Sequence, residues 1–293
     1  MNLKELTNIS LEDIYWLLKA GRSKKKVNVF DLRSNLNKYI KNPVFFLSTG
    51  RCGTKWFSDL LKHNKSLMIL HSPVPNLAVQ GKFAYEILNY NLPTDSEKNL
   101  LKEIYFAGRE QYLRYTYKTE KRYVETNNYI TFFAPILAEL FPEAKFVHLF
   151  RHPGEFVRSG IRRNYYSTNN PDDIKRITPQ NKHQNLNWET LSQLEKTAWL
   201  WNETNLFIEN FKEKHSSRCQ NFNFNELSVE NVNSLLTFLD IDISKAAILK
   251  SLGKKSNTQI QGSFPKYEDW DQDQKIILKR TCSDLAKKYD YKI

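Results

Sequence analysis

The chain has 293 residues, with 44 Lys and Arg against 32 Asp and Glu and a formal net charge of +12. Its 40% hydrophobic content and its few glycines and prolines exclude a disordered, collagen-like or linker-like chain. No apolar run approaches the ~18 residues of a membrane span, the start MNLKELTNIS has no apolar signal core, and Cys52, Cys219 and Cys282 lack disulfide or zinc spacing, so a soluble, cytoplasmic protein is expected.

No Gly, Ser or Pro run marks a linker, so the reading is a helical N-terminal appendage over residues 1–42 and one domain over 43–293. Ser10 is a helix cap, and Ile14, Leu17 and Leu18 give residues 10–20 one apolar face. VFFLS (44–48) reads as a strand, 54–63 as a helix and LMIL (67–70) as a second strand. A helix carrying Glu86 and a long one over 96–117 follow, then strand 122–126, helix 131–140 and the uniformly apolar strand 145–150. Beyond residue 153 come a helix, an Asn-rich stretch over 164–185 long enough for a lid or mobile loop, a helix over 188–214, strand 219–224 and two terminal helices. Strands alternating with helices predict an α/β three-layer sandwich, its mainly parallel sheet covered on both faces.

VFFLSTGRCGTKWFSDLL sets a strand, a turn with two glycines and an amphipathic helix in direct succession. That arrangement aims free helix N–H groups at whatever lies beyond the strand, an anion site, although a plain tight turn has the same pattern. Gly50 and Gly53 permit positive φ. A Walker A loop is excluded, because only two residues separate the glycines and Lys55 follows Thr54. What remains is Arg51 as a cation, Thr54 as a hydroxyl and the Trp56 ring, which either stacks on a base or packs the helix into the core.

The string STGRCGTKWFSDLL resembles the 5'-phosphosulfate loop of sulfotransferases that use 3'-phosphoadenosine-5'-phosphosulfate. AKFVHLFRHPGEFVRSG (144–160) resembles the same family's 3'-phosphate segment, and VETNN and KYEDWDQDQK extend the likeness over most of 44–290. The resemblance implies a P-loop-like fold and sulfuryl transfer without a metal to a hydroxyl or amine of a small-molecule or carbohydrate acceptor. It implies donor binding by Arg51, Cys52, Gly53, Thr54, Lys55, Trp56, Arg151 and Ser159, with Lys255 in the loop GKKSNTQIQG, where Lys254 and Asn257 also lie. Many members read Ser-Gly-Thr-Thr where this chain has Cys52, Gly53, Thr54 and Lys55, so Lys55 replaces a hydroxyl. His152 stands where many have Asp and is read as a support of the turn.

Catalysis needs a base near the acceptor proton. His71, directly after strand 67–70, is the candidate, with Arg51 and Lys55 as the catalytic cations; a histidine that merely bonds its own turn is the alternative. The expectation rests on strands 44–48 and 67–70 being neighbours. Glu86 and Glu125 are the reserve bases, His148 is expected in the core, His63 in solvent, and Arg162 and Arg163 as solvated charges. A non-catalytic nucleotide- or polyanion-binding protein is the alternative function, with the +12 charge serving an acidic polymer. Nucleic acid is not the expected partner, and the sequence leaves the oligomeric state open.

Overall fold

The computed structural model describes residues 36–89, 92–167, 170–180, 187–254 and 262–293. The helix expected at 10–20, Lys255 and Asn257 lie outside the described residues.

The five runs read as strands form Val44–Leu47 (β1), Leu67–Leu70 (β2), Arg122–Glu125 (β3), Lys145–Phe150 (β4) and Cys219–Asn223 (β5). They pair in parallel in the order β2-β3-β1-β4-β5. Each strand of the centre is buried on both faces, as its lack of alternation requires. Val44 and Phe46 of β1 belong to one core with Val147 and Leu149 of β4. Phe45 and Leu47 belong to the other, with Phe146 and Phe150.

Among the described residues, Thr54–Leu61 (α1), Ala78–Leu88 (α2), Asp95–Lys118 (α3), Ala134–Leu140 (α4) and Pro153–Ile161 (α5) are followed by Gln193–Lys214 (α6). Val229–Leu239 (α7), Lys245–Leu252 (α8) and Gln272–Lys288 (α9) follow. Among the described residues, three helices come after β5 where two were expected; Ser228, Ser244 and Asp271 each cap one. Helix α6 starts later than residue 188 because Ser192 and Glu195 form a capping box. The helix expected from 131 opens as a 3-10 turn over Asn128–Phe133, capped by the Asn127 side chain. Helices α1, α7 and α8 cover one face of the sheet, and α3, α4, α6 and α9 the other.

The helix that follows β1 goes to the opposite face from those that follow its neighbours β3 and β4. A parallel sheet opens a crevice at such a reversal, beyond the carboxyl ends of the strands. The stretch after α5, expected as a lid or mobile loop, forms a wall of the cleft in its described parts and is bonded to its surroundings. Tyr166 donates its hydroxyl to the Ile177 carbonyl at 2.6 Å, Gln193 binds the Tyr165 carbonyl at 2.8 Å, and Arg176 stacks 3.7 Å over the Tyr165 ring.

Under the carboxyl end of β3 lies a fully buried ion pair. The Arg109 guanidinium donates to Glu125 at 2.7 Å, and Tyr123 and Asn127 add hydrogen bonds to the same carboxylate at 2.7 and 3.3 Å. Arg109 also holds the Pro75 carbonyl at 2.6 Å, and Asn127 holds that of Asn76 at 2.9 Å, so the pair fixes the segment between β2 and α2. Arg109→Met should leave the Glu125 charge buried and uncompensated, lowering stability by about 3–5 kcal/mol in urea unfolding. Adding Glu125→Gln to that variant should recover part of the loss.

Candidate active site

Beyond β1 the chain reverses through residues with φ of +75° at Gly50, +58° at Arg51 and +96° at Gly53. A Cβ at Gly53 would come within 2.1 Å of the Phe224 ring, so both the backbone angle and the space demand glycine there. The turn is braced from behind. Thr131 accepts the Ser48 N–H and donates to the Ser48 carbonyl, both at 3.0 Å, and Ser48 Oγ accepts the Gly50 N–H at 3.0 Å. Cys52 donates its thiol to the Gly50 carbonyl at 3.1 Å and is fully buried, with its pKa pushed up to about 11 by burial. Its side chain supports the loop from the core and does not line the cleft, so any contact it makes with a ligand comes from its backbone.

The first bond inside α1 runs from the Phe57 N–H to the Gly53 carbonyl at 3.0 Å. The N–H groups of Thr54, Lys55 and Trp56 precede it, and the first turn holds no acidic residue. Together with the helix dipole they make an anion-binding end.

The two motifs that lie a hundred residues apart meet here. Arg51 Nε donates to Ser159 Oγ at 3.2 Å, and Arg151 reaches the Arg51 carbonyl at 3.4 Å. Arg151 is oriented by Glu155, one helical turn on, at 2.5 Å, and its own carbonyl accepts the Trp201 indole N–H at 2.9 Å. Burial pushes the Glu155 carboxyl up, but Arg151 and Asn225 outweigh it and hold it below its ordinary value, so the carboxylate stays charged. Burial lowers the pKa of Arg51, and the like charges of Arg163 and Arg151 lower it further. Positive charge is thus crowded between the β1 and β4 loops, which an anion relieves.

Arg163 is not the solvated charge expected from sequence. It lines the cleft beside Arg51, and its buried Nε has no hydrogen-bond partner. Trp56 lines the cleft while remaining 4% exposed; its indole N–H donates to the Ser251 carbonyl at 3.0 Å and its ring meets Phe224 edge-on. Lys55 lines the same cleft and binds both carboxylate oxygens of Asp59 at 2.5 Å.

His71 and Arg51 line one cleft, but not because their strands are neighbours: β3 lies between β1 and β2. The link runs through β3. Thr126, just after it, donates its hydroxyl to the Leu70 carbonyl at 3.2 Å and accepts from His71 Nδ1 at 3.1 Å. With the Thr126 hydroxyl proton on the Leu70 carbonyl, the contact calls for a proton on Nδ1 and leaves the Nε2 lone pair out of it. Burial, then the positive charge of Lys55, lowers the His71 pKa below its ordinary value of 6.5, so the ring is neutral at pH 7. Of the reserve bases, Glu125 is fully buried and committed to Arg109, and Glu86 lies outside the cleft lining. His148 is 1% exposed and bonds Asn205 at 2.9 Å in the core, and His63 is exposed, as expected. His152 caps α5 through Nδ1, which accepts the Gly154 N–H at 3.1 Å.

These groups border a cleft of about 1620 Å³. Lys82, Asn128, Tyr129 and Tyr165 also line it, and none was singled out from sequence. Asn128, whose amide lies 3.0 Å from where a Cβ of Gly50 would stand, was within reach of the VETNN motif; the others carry no local signal.

The sulfotransferase family is the one whose sequence model matches this chain, over residues 43–194. No curated protein matches. Among solved structures, a sulfotransferase from Mycobacterium avium aligns with a TM-score of 0.51 at 14% identity, covering 90% of this chain and 81% of that one, and shows the shared fold. A sulfotransferase from Alicyclobacillus acidocaldarius aligns at 0.48 and 13% identity, over 86% and 97% of the two chains. A mouse sulfotransferase complexed with PAP aligns at 0.45 and 14% identity, over 88% and 93%. The family match takes in the loop after β1, His71 and the Arg151–Ser159 segment, and this chain belongs to the sulfotransferase family.

Proposed function

We propose that the enzyme takes its sulfuryl group from 3'-phosphoadenosine-5'-phosphosulfate, with Arg51, Arg151 and Ser159 on the donor's anionic groups and His71 as the base. The observation that carries this reading is the 3.2 Å contact between Arg51 and Ser159, which joins the loop after β1 to the first turns of α5 in one polar site. The residues fit such a group chemically. The unspent N–H groups at the start of α1 and the crowded arginines suit a molecule with several negative charges. Trp56, Phe224, Leu227 and Leu252 line an end of the cleft that suits a purine ring.

When bound, the donor supplies an activated sulfuryl group, which passes to the acceptor oxygen or nitrogen while the nucleotide leaves with its bridging oxygen. His71 Nε2 takes the acceptor proton, and Thr126 keeps the ring oriented through Nδ1. Arg51 stabilises the negative charge that develops on the leaving oxygen, and the α1 N–H groups hold the same region without reorganising. Lys55 is held by Asp59 at the mouth of α1, within range to add its charge to the field at His71.

Arg151→Ala should weaken binding of 3',5'-adenosine diphosphate roughly tenfold to a hundredfold in calorimetry. Adenosine 5'-phosphosulfate, which lacks the 3'-phosphate, should be unaffected; an equal loss for both ligands overturns the assignment of Arg151 to that phosphate.

His71→Ala should lower turnover with labelled donor by roughly 10²–10⁴ while leaving nucleotide affinity unchanged, and Arg51→Ala should damage both. Protonation of His71 removes the base, and its pKa is lowered, so the native rate should be flat near pH 7 and fall only below about 6.5. A wild-type rate in His71→Ala with the acceptor saturating assigns the proton to another group.

A further inference from the structure

The cleft is larger than its donor-directed residues account for, and its other end has a chemistry of its own. That end is bounded by α2, by the Asn128–Phe133 turn, by the wall after α5 and by α6. Its rings are Tyr129, Phe132 and Tyr165, with Tyr165 held flat by the overlying Arg176.

Its polar groups are incompletely matched. Thr204 on α6 is 2% exposed, lines the cleft and has no hydrogen-bond partner for its Oγ. A buried hydroxyl without a partner is costly, and most threonines inside helices avoid this by bonding the preceding turn. The amide of Asn128 lines the same space.

Its charge is also unbalanced. Lys175 is paired with Asp172 at 2.7 Å, and Arg176 has Asp173 as a counter-charge at 3.3 Å. Lys82 on α2 has no acidic partner among the described residues, and Arg163 has none for its buried Nε. Tyr129 links the two walls. Its carbonyl stands 2.2 Å from where a Cβ of Gly81, the residue before Lys82, would lie, and it neighbours Tyr165, which neighbours Arg163.

Resting on the sulfuryl-transfer reading above, we propose that the acceptor is an acidic saccharide, whose ring faces pack on Tyr129, Phe132 and Tyr165, whose hydroxyls meet Thr204 and Asn128, and whose carboxylate is drawn to Lys82 and Arg163. Hydroxyl-rich substrates satisfy buried polar groups that a plain phenol leaves unpaired, and that difference discriminates strongly. Uncompensated cations reject an amine-bearing acceptor in the same way. Among acceptors bearing a hydroxyl or an amine, this disfavours a cationic amine and a simple phenol.

The probes are p-nitrophenyl β-glucuronide, p-nitrophenyl β-glucoside and p-nitrophenyl β-glucosaminide, which differ at the carboxylate and the amine. Their affinities are measured on the full chain with 3',5'-adenosine diphosphate present, and their kcat/KM with labelled donor. The glucuronide should bind about tenfold or more tightly than the glucoside, with the glucosaminide weakest. The Lys82→Gln variant should shrink that preference without weakening the glucoside, Lys82→Arg should restore it, and Arg163→Gln should shrink it too. Equal binding of glucuronide and glucoside, or a preference that survives both Gln variants, overturns the proposal, as does binding of none of the three. A preference for bound glucuronide without label transfer strikes the sulfuryl-transfer reading while supporting the acidic acceptor site. Weakened nucleotide binding in Arg163→Gln with the sugar preference intact removes Arg163 from the acceptor site.

Discussion

The site depends on a chain reversal between β1 and α1 that only left-handed backbone can make. Gly50, Arg51 and Gly53 all carry positive φ, and Arg51 does so as a residue with a Cβ, at a cost of about 1–2 kcal/mol. That cost is offset by bonds that hold the turn: Thr131 to both backbone groups of Ser48, Ser48 to the Gly50 N–H, and the Cys52 thiol to the Gly50 carbonyl. The reversal sends α1 away with its N–H groups facing the crevice and leaves Arg51 on the cleft side, against Ser159. The Cys52 thiol makes its bond to the Gly50 carbonyl from the buried side of the loop, so this side chain supports the turn and leaves the cleft side to its neighbours.

Charge is managed in two different ways on the two sides of the β3 end. Below it, Arg109 and Glu125 are fully buried and matched, with Tyr123 and Asn127 completing the bonds to the carboxylate. A matched buried pair contributes little net stability but penalises any displacement of its partners, here the carbonyls of Pro75 and Asn76. Above it, Arg51, Arg151 and Arg163 are crowded together, with Glu155 engaged by Arg151 as the nearby counter-charge. A rigid, neutral foundation under the segment that begins at His71 and a positive, under-neutralised surface facing it give the cleft both a fixed geometry and an affinity for anions.

His71 shows how the foundation reaches the site. Its Nδ1 is held by Thr126, the residue after Glu125, and the same short stretch supplies Asn127 to the following loop and Asn128 to the turn beside Gly50. Four consecutive residues, from Glu125 at the end of the third strand to Asn128, therefore connect the buried ion pair, the imidazole and the loop after β1. This is why β3, inserted between β1 and β2, does not separate the arginine from the histidine but joins them.

All five strands were legible in the sequence; for the central β1 and β4 the reason is burial on both faces, which makes 44–48 and 145–150 short apolar runs bounded by turn residues. The anion loop was legible for the same local reason: glycine spacing, a hydroxyl and a following amphipathic helix are properties of neighbouring residues. Strand order was not: β1 and β2 are successive in the chain, but β3 lies between them, because pairing is decided by which faces the helices must cover. Nor were the cleft positions of Arg163, Lys82, Tyr165 and Thr204. Sequence determined where the strands run and which turn leads from β1 into a helix with free N–H groups; whether a cation ends beside a carboxylate or beside another arginine depends on segments far apart in the chain, and only tertiary packing decides it.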